Sequence, residues 1–122
     1  MAKQIQRKIQ FLGGVEAANY QTTSSILNAQ TGTTYTLLSS DNGKVVTLNN
    51  ANAVTVTVPA GLAAGFSCVL IQQGAGQVTV SGANGVTLQS YQGNAKIAGQ
   101  YAGATLFAHT LNIFNLTGSL TA

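Results

Sequence analysis

Residues 34–80 decide the fold of this chain, and they read TYTLLSSDNGKVVTLNNANAVTVTVPAGLAAGFSCVLIQQGAGQVTV. Short apolar runs alternate in this stretch with clusters of Ser, Asn and Gly. Strands of about five residues separated by such clusters are typical of an antiparallel all-β domain. In residues 54–58, VTVTV, the valines point to one face and the threonines to the other, because side chains alternate along a strand. The pattern predicts an antiparallel β-sandwich or a small barrel.

Two turn clusters within the stretch predict hairpins. Residues 41–43 (Asp-Asn-Gly) offer turn chemistry between their flanking strands, and residues 74–76 (Gly-Ala-Gly) are expected to turn residues 66–71 back into residues 78–80. Residues 66–71 are apolar on both faces apart from Ser67, so they are expected to form the most central strand. The predicted core contains Val54, Val56, Val58, Cys68, Val69, Ile71, Val78 and Val80.

The rest of the chain divides into a β-domain and an N-terminal segment. Further strands are predicted at residues 86–88, 105–108 and 111–116, which brings the total to roughly eight to ten. A length of 122 residues allows one domain with one modest core. We therefore assign residues 34–122 to the β-domain and residues 1–33 to an arm and linker.

The charged fraction of the chain is unusually low. Charged residues make up 6% of the sequence, against about 25% in ordinary soluble domains. Monomeric β-proteins usually protect their sheet edges with Lys, Glu or Pro, yet this chain has one proline and almost no charge along its predicted strands. Segments such as residues 54–58 would be sticky if left open. We therefore expect other copies of the chain, or a large partner, to cover the edges.

The N-terminal arm is predicted to bind a partner. Its spacing of Ile5, Ile9 and Leu12 suits one face of a short helix, and it equally suits the anchors of an extended arm, which could reach on the order of 100 Å. Three basic charges are too few to predict nucleic-acid binding; they suit a solvated N-terminus, or a basic arm that docks on an acidic protein surface. The predicted contact residues are Lys3, Ile5, Arg7, Lys8, Ile9, Phe11 and Leu12.

Several motifs together carry a family resemblance: YTL (35–37), DNGKVV (41–46), TVTVP (55–59), Gly65, IQQGAGQVTV (71–80) and FNLTGSL (114–120). They resemble a β-module of tailed-bacteriophage virion structural proteins over about residues 34–120. In that group the module occurs in tail fibres, receptor-binding tips and head decoration proteins, and it commonly assembles as trimers. The resemblance implies no catalytic residue. The module often has Trp near its end, where this chain has Phe114.

Few side chains are suited to catalysis, so the chain is predicted not to be an enzyme and to use no cofactor or metal. Glycosidases need two carboxylates around the bond, but Asp41 lies in a predicted turn and Glu16 in the arm. A catalytic triad needs an acid to orient His109, and only Asp41 lies in the domain. Asp41 is interpreted as a turn residue and His109 as a turn or interface residue. Three copies of His109 around a trimer axis, binding a metal, are the alternative.

Together with the low charge and the unprotected strand edges, the resemblance implies a homotrimeric virion protein, specifically a capsid decoration (cement) protein that clamps the major capsid protein through its arm. The alternative is a short tail fibre or knob that binds the host surface, although such fibres are usually longer chains. Tyr91 and Tyr101, in a Gly-rich region, are predicted to make exposed contacts, with a sugar or with another subunit. Neither a membrane span nor a secretory signal is expected, because no apolar run is long enough and none follows Met1.

Overall fold

The computed structural model describes residues 26–122, which form strands and turns with no α-helix in that range. The all-β prediction is therefore confirmed. Two single turns of 3₁₀ helix occur at Ser39–Asp41 and Tyr91–Gly93. The strands are β1 (Leu27–Gln30), β2 (Thr34–Thr36), β3 (Val45–Leu48), β4 (Val54–Val58), β5 (Ser67–Gln72), β6 (Val78–Gly82), β7 (Thr87–Ser90), β8 (Lys96–Ile97), β9 (Gly103–Thr110), β10 (Ile113–Gly118) and β11 (Leu120–Thr121).

The strands form two sheets, which we call sheet A and sheet B. Sheet A has six strands in the order β1-β3-β5-β9-β10-β7, and sheet B has five in the order β11-β8-β6-β4-β2. The predicted boundary between residues 33 and 34 falls between β1 and β2. Both of these strands belong to the described fold, β1 at an edge of sheet A and β2 at an edge of sheet B.

The first six strands coil like a solenoid. Odd-numbered strands lie in sheet A and even-numbered strands in sheet B, so each β-strand pair makes one coil. Within each sheet the coils stack in parallel: β1 on β3 on β5, and β2 on β4 on β6. Leu27, Val45 and Val69 consequently lie side by side in register. Parallel strands need a crossover connection, and here the strand in the opposite sheet supplies it.

This topology shows that the two predicted hairpins were wrong. The turn at residues 41–43 connects β2 in sheet B to β3 in sheet A, and the turn at residues 74–76 connects β5 in sheet A to β6 in sheet B. Neither turn joins hydrogen-bonded neighbours. Antiparallel pairing, expected throughout, begins only at the later strands, where β9 pairs with β5 and β10, and β8 pairs with β6 and β11.

The core lies between the two sheets and is almost entirely aliphatic. Its fully buried side chains include the predicted Val54, Val56, Val58, Cys68, Val78 and Val80. The central position of β5 in sheet A is also confirmed, since β3 and β9 flank it. The prediction was wrong for Val69 and Ile71, which are half-buried on the outer side of β5, while Cys68, Leu70 and Gln72 face inward.

Close stacking of the turns explains why Gly74 and Gly76 are glycines. A Cβ added to Gly74 would lie 2.5 Å from the backbone nitrogen of Asn50, and one added to Gly76 would collide with the carbonyl oxygen of Asn52. The amide of Gly76 donates to the Asn50 carbonyl at 2.8 Å. Buried Gln72 braces the same turn, because its side chain donates to the Gly74 carbonyl and accepts from the amide of Val78. Each turn thus rests directly on the turn of the preceding coil.

The last strands close the far end of the coils. Phe114, at the position where the resemblance pointed to Trp, is fully buried on β10. Its ring meets Phe66 edge to face, with centroids 6.5 Å apart and planes at 75°, a favourable aromatic geometry. Within residues 26–122, no helix is long and apolar enough to cross a membrane.

Candidate interaction surfaces

Each sheet turns one face to the core and one outward, so the fold has two broad outer faces. Side chains alternate along a strand, and the exposure of β3, β4, β5 and β9 follows this alternation. The outer face of sheet A comprises the outward side chains of its six strands, and the outer face of sheet B comprises those of its five strands. The two faces differ in chemistry.

The outer face of sheet A carries an apolar patch on β1, β3 and β5, beside mostly polar outward side chains on β9, β10 and β7. Leu27, Val45 and Val69 form a row across β1, β3 and β5. Ile71 and Phe107 flank this row, and Phe107 remains 43% exposed. Among the described residues, the outward positions of these six strands include no Lys, Arg, Asp or Glu. An uncharged apolar patch of this kind is typical of an interaction surface.

The outer face of sheet B is rich in hydroxyl groups. Threonine is favoured in strands and its hydroxyl can bind water, so this face suits contact with solvent. It also carries Lys96, which is exposed on β8. Two rows cross the sheet in register: Thr34, Thr55, Thr79 and Lys96 in the first, and Thr36, Thr57 and Ser81 in the second.

A buried carboxylate organises the first coil. Asp41 is 1% exposed, and its carboxylate accepts hydrogen bonds from the hydroxyl of Tyr35 at 2.6 Å, the side-chain amide of Asn28 at 2.8 Å and the backbone amide of Leu38 at 2.9 Å. Gln30 in turn donates to Asn28 at 2.8 Å. Buried charges are tolerated only when they are satisfied in this way. The interpretation of Asp41 as a turn residue that bonds nearby backbone is confirmed.

The same network fixes the protonation state of Tyr35. Burial, followed by the hydrogen bond to Asp41, raises the pKa of the Tyr35 hydroxyl to about 12. The hydroxyl therefore stays protonated at neutral pH and remains a donor to the carboxylate. Because β1 and β2 are edge strands, this polar network lies at the end of the core where the described fold begins.

The described residues offer no assembled catalytic centre. The carboxylate of Asp41 is occupied by its three donors, while His109 lies exposed near the end of β9. A surface hollow of about 200 Å³ is lined by Ser39, Asn42, Phe66 and residues 63–65, none of which is titratable. Within residues 26–122, no group of three or more His, Cys, Asp or Glu side chains could hold a metal ion.

Tyr91 and Tyr101 are exposed, as the sequence predicted. Tyr91 begins the 3₁₀ turn after β7 and is 81% exposed, and Tyr101 precedes β9 and is 70% exposed. Tyr101 also has a positive φ of 71°, which is uncommon for a residue with a side chain; its amide donates to the Gln72 carbonyl. Both rings are therefore available for contact. The predicted arm contacts all lie outside the described residues: Lys3, Ile5, Arg7, Lys8, Ile9, Phe11 and Leu12.

The apolar outer face of sheet A was not found from the sequence. In β5 both alternating sets of side chains are largely apolar, and the inward set includes the polar Gln72. The alternation of Val54–Val58 could be interpreted because Thr marks the outer face, whereas β5 carries one polar residue in each set, Ser67 outward and Gln72 inward. One signal was present: β3, β5 and β9 contain apolar residues at outward and inward positions alike, which indicates strands covered on both sides.

The chain matches no protein-family model and no curated protein. Among the described residues, the geometry gives a two-sheet β-fold with an apolar patch on the outer face of sheet A, a hydroxyl-rich outer face on sheet B and no assembled titratable centre. Such surfaces can bind other macromolecules through shape and apolar contact.

Proposed function

We propose that this chain is a non-enzymatic structural protein of a phage virion, and that it acts as a homotrimeric capsid decoration protein. The low charge of the fold carries the proposal. Within residues 26–122 the only charged side chains are Lys44, Lys96 and Asp41, and Asp41 is buried. A β-protein whose edge strands carry so little charge is suited to being covered in an assembly. The resemblance of residues 34–120 to a virion module supplies the kind of assembly.

The N-terminal segment is the proposed clamp. It joins the fold at β1, an edge strand of sheet A, so contacts made by the segment would be passed directly to the solenoid. Apolar anchors supply most of the affinity of such contacts, while charges set the encounter rate and the salt dependence. In the proposal, four apolar side chains fill grooves on the shell and three basic side chains meet acidic groups there: Ile5, Ile9, Phe11 and Leu12, and Lys3, Arg7 and Lys8.

Two measurements on one preparation of particles test the proposal. A protein that binds only the intact shell stabilises it by mass action, so particles lacking the protein should burst at a lower temperature and recover when purified protein is added back. The same particles should adsorb to cells normally. Unchanged thermal stability together with lost adsorption would contradict the decoration role.

A second set of variants tests the clamp. Deleting residues 1–25 leaves every described strand in place, so the product should remain folded and oligomeric but should no longer bind particles. Replacing both Ile5 and Ile9 by Ala should weaken particle binding by at least about tenfold, since each removes buried apolar surface. The matched control replaces Gln6 and Gln10 by Ala and should bind normally. Equal binding by both double variants would contradict the anchoring role.

The tail-fibre function remains the second candidate, because Tyr91 and Tyr101 are the most exposed aromatic side chains among the described residues. Exposed aromatic rings are common at surfaces that bind partners. If the chain is a fibre tip, replacing both tyrosines by Ala should reduce adsorption to cells and leave the bursting temperature unchanged. The decoration role predicts normal adsorption by this variant.

A further inference from the structure

We propose that the outer face of sheet A is the surface through which copies of this chain contact one another. The inference rests on the proposed homotrimer, and it adds which side of the fold lies toward the trimer axis. The occupant of the face is thus a second copy of the same chain, in contact through the row of Leu27, Val45 and Val69 and through Ile71 and Phe107.

The contrast between the two outer faces selects sheet A. In the three stacked coils the outward positions of sheet B hold Thr and Ser, whereas those of sheet A hold mostly Leu, Ala, Val and Ile, interrupted by Thr47 and Ser67. Phe107 is 43% exposed and Leu27 is 51% exposed. Moving large apolar side chains out of water lowers the free energy. Covering the apolar patch of sheet A therefore stabilises an assembly more than covering the outer face of sheet B would.

The neutrality of the face points to a second copy. Around a three-fold axis the residues nearest the axis lie close to their own copies on the other two subunits, and like charges there would oppose each other. The outward positions of sheet A avoid this repulsion because, within residues 26–122, they include no Lys, Arg, Asp or Glu. A different protein is usually guided by complementary charge, which the chain concentrates in its first eight residues instead.

The size of the face is adequate for self-association. Six strands spaced about 4.8 Å apart, with β5 rising about 3.3 Å for each of its residues, give the apolar patch and its polar surround together a flat area of roughly 500 Å² before side-chain relief is counted. Specific interfaces bury roughly 800 Å² of accessible surface on each partner. The corrugated surface of this face is therefore of the order that a specific contact requires.

The proposal can be tested by placing a charge on each outer face of the full-length chain and measuring the molar mass of the variants by light scattering. Wild-type protein should scatter light as about three times the chain mass of 12.4 kDa. Phe107→Glu should raise the dissociation constant of the trimer by at least about 100-fold, because it opposes like charges in the contact. The matched control is Thr55→Glu, on an exposed position of sheet B, which should remain a trimer. A trimeric Phe107→Glu protein, or a monomeric Thr55→Glu protein, overturns the proposal.

Cross-linking provides a test that does not depend on the stability of a charge variant. Asn115 lies beside Phe107 in register and is exposed, so Asn115→Cys should form covalent dimers with a short bis-maleimide. Thr55→Cys, on sheet B, should not. The native Cys68 is buried and provides an unreactive background. Cross-linking of Thr55→Cys in place of Asn115→Cys would show that the copies meet through sheet B.

The outcomes also separate this inference from the proposed function. Wild-type protein could be a trimer that stabilises particles while both sheet A variants behave as the wild type. In that case only the assignment of the contact face fails, and the N-terminal segment or another virion protein covers sheet A instead. If the sheet A variants dissociate but wild-type protein does not affect the bursting temperature, the face assignment stands and the decoration role fails.

Discussion

Gly76 allows the sharpest test of the coiled arrangement, because a side chain at this position would meet the neighbouring coil. A Cβ added there would collide with the carbonyl oxygen of Asn52 and would lie 2.8 Å from that of Asn50. Both obstacles are backbone atoms, which cannot rotate away as a flexible side chain would. The substitution Gly76→Ala can therefore be accommodated only if the two turns move apart.

The cost of this separation can be worked from the structure. Moving the turns apart breaks the hydrogen bond from the buried amide of Gly76 to the Asn50 carbonyl, 2.8 Å long, which leaves a buried donor unpaired. Adding roughly 1–3 kcal/mol for overpacking to roughly 1–3 kcal/mol for the unpaired amide gives a loss of about 2–6 kcal/mol in the free energy of unfolding. In a domain of this size the melting temperature should fall by roughly 10 °C or more.

Gly99→Ala is the matched control. A Cβ added to Gly99 meets no atom within 4 Å, and its φ lies outside the left-handed region, so the substitution should be neutral or stabilising by up to about 1 kcal/mol. Urea unfolding followed by circular dichroism, at one fixed protein concentration, measures both variants. If Gly76→Ala unfolds within about 0.5 kcal/mol of wild type, the turn is an open hairpin and the stacked coils are refuted.

Three further predictions follow from the packing and the polar network. Leu70→Ala should lower the free energy of unfolding by about 2–5 kcal/mol because Leu70 is fully buried. Ile71 is only half-buried, so Ile71→Ala should lower it by less than half as much. Urea unfolding of the two variants measures the difference. Tyr35→Phe removes the 2.6 Å hydrogen bond to the buried carboxylate of Asp41 and should cost about 1.5–3 kcal/mol in the same assay; a loss near zero would mean that water replaces the hydroxyl. Burial raises the pKa of the Cys68 thiol from 9.0 to about 12. Between these two pH values the folded state retains a proton that the unfolded state loses. The free energy of unfolding that this group contributes is therefore fully present below pH 9 and should decline as the pH rises toward 12. Melting temperatures measured between pH 8 and 11 should fall less steeply for Cys68→Ala than for wild type, and parallel curves would contradict this assignment.

Local sequence patterns were sufficient to predict most of the strands, but not β1, which lies in the segment assigned to the linker, nor the short β11. The alternation in β4 was interpreted correctly because Thr and Val differ enough in polarity to assign each face, and the burial of Val54, Val56 and Val58 follows from it. Strand β5 was assigned to the wrong face because Val69 and Ile71 are as apolar as Leu70, while the inward Gln72 satisfies its polar atoms within the turn. Where both sets are apolar, the alternation does not show which set is buried.

Pairing between strands could not be predicted from the turns. The Asp-Asn-Gly and Gly-Ala-Gly clusters suit a hairpin by their backbone preferences, but the same preferences suit a turn that carries the chain from one sheet to the other. The choice depends on contacts between distant segments, such as the stacking of Gly76 on Asn52, which no local pattern reveals. The apolar face of sheet A was missed for the same reason, since it is assembled from four separate parts of the chain.

Electron microscopy of intact particles, with and without the protein, is the most direct test of the proposed decoration role. The difference map should show this fold on the outer surface of the capsid in groups of three, with the outer faces of sheet A toward each three-fold axis. Density only at the tail, or single copies with sheet A facing solvent, would contradict the account.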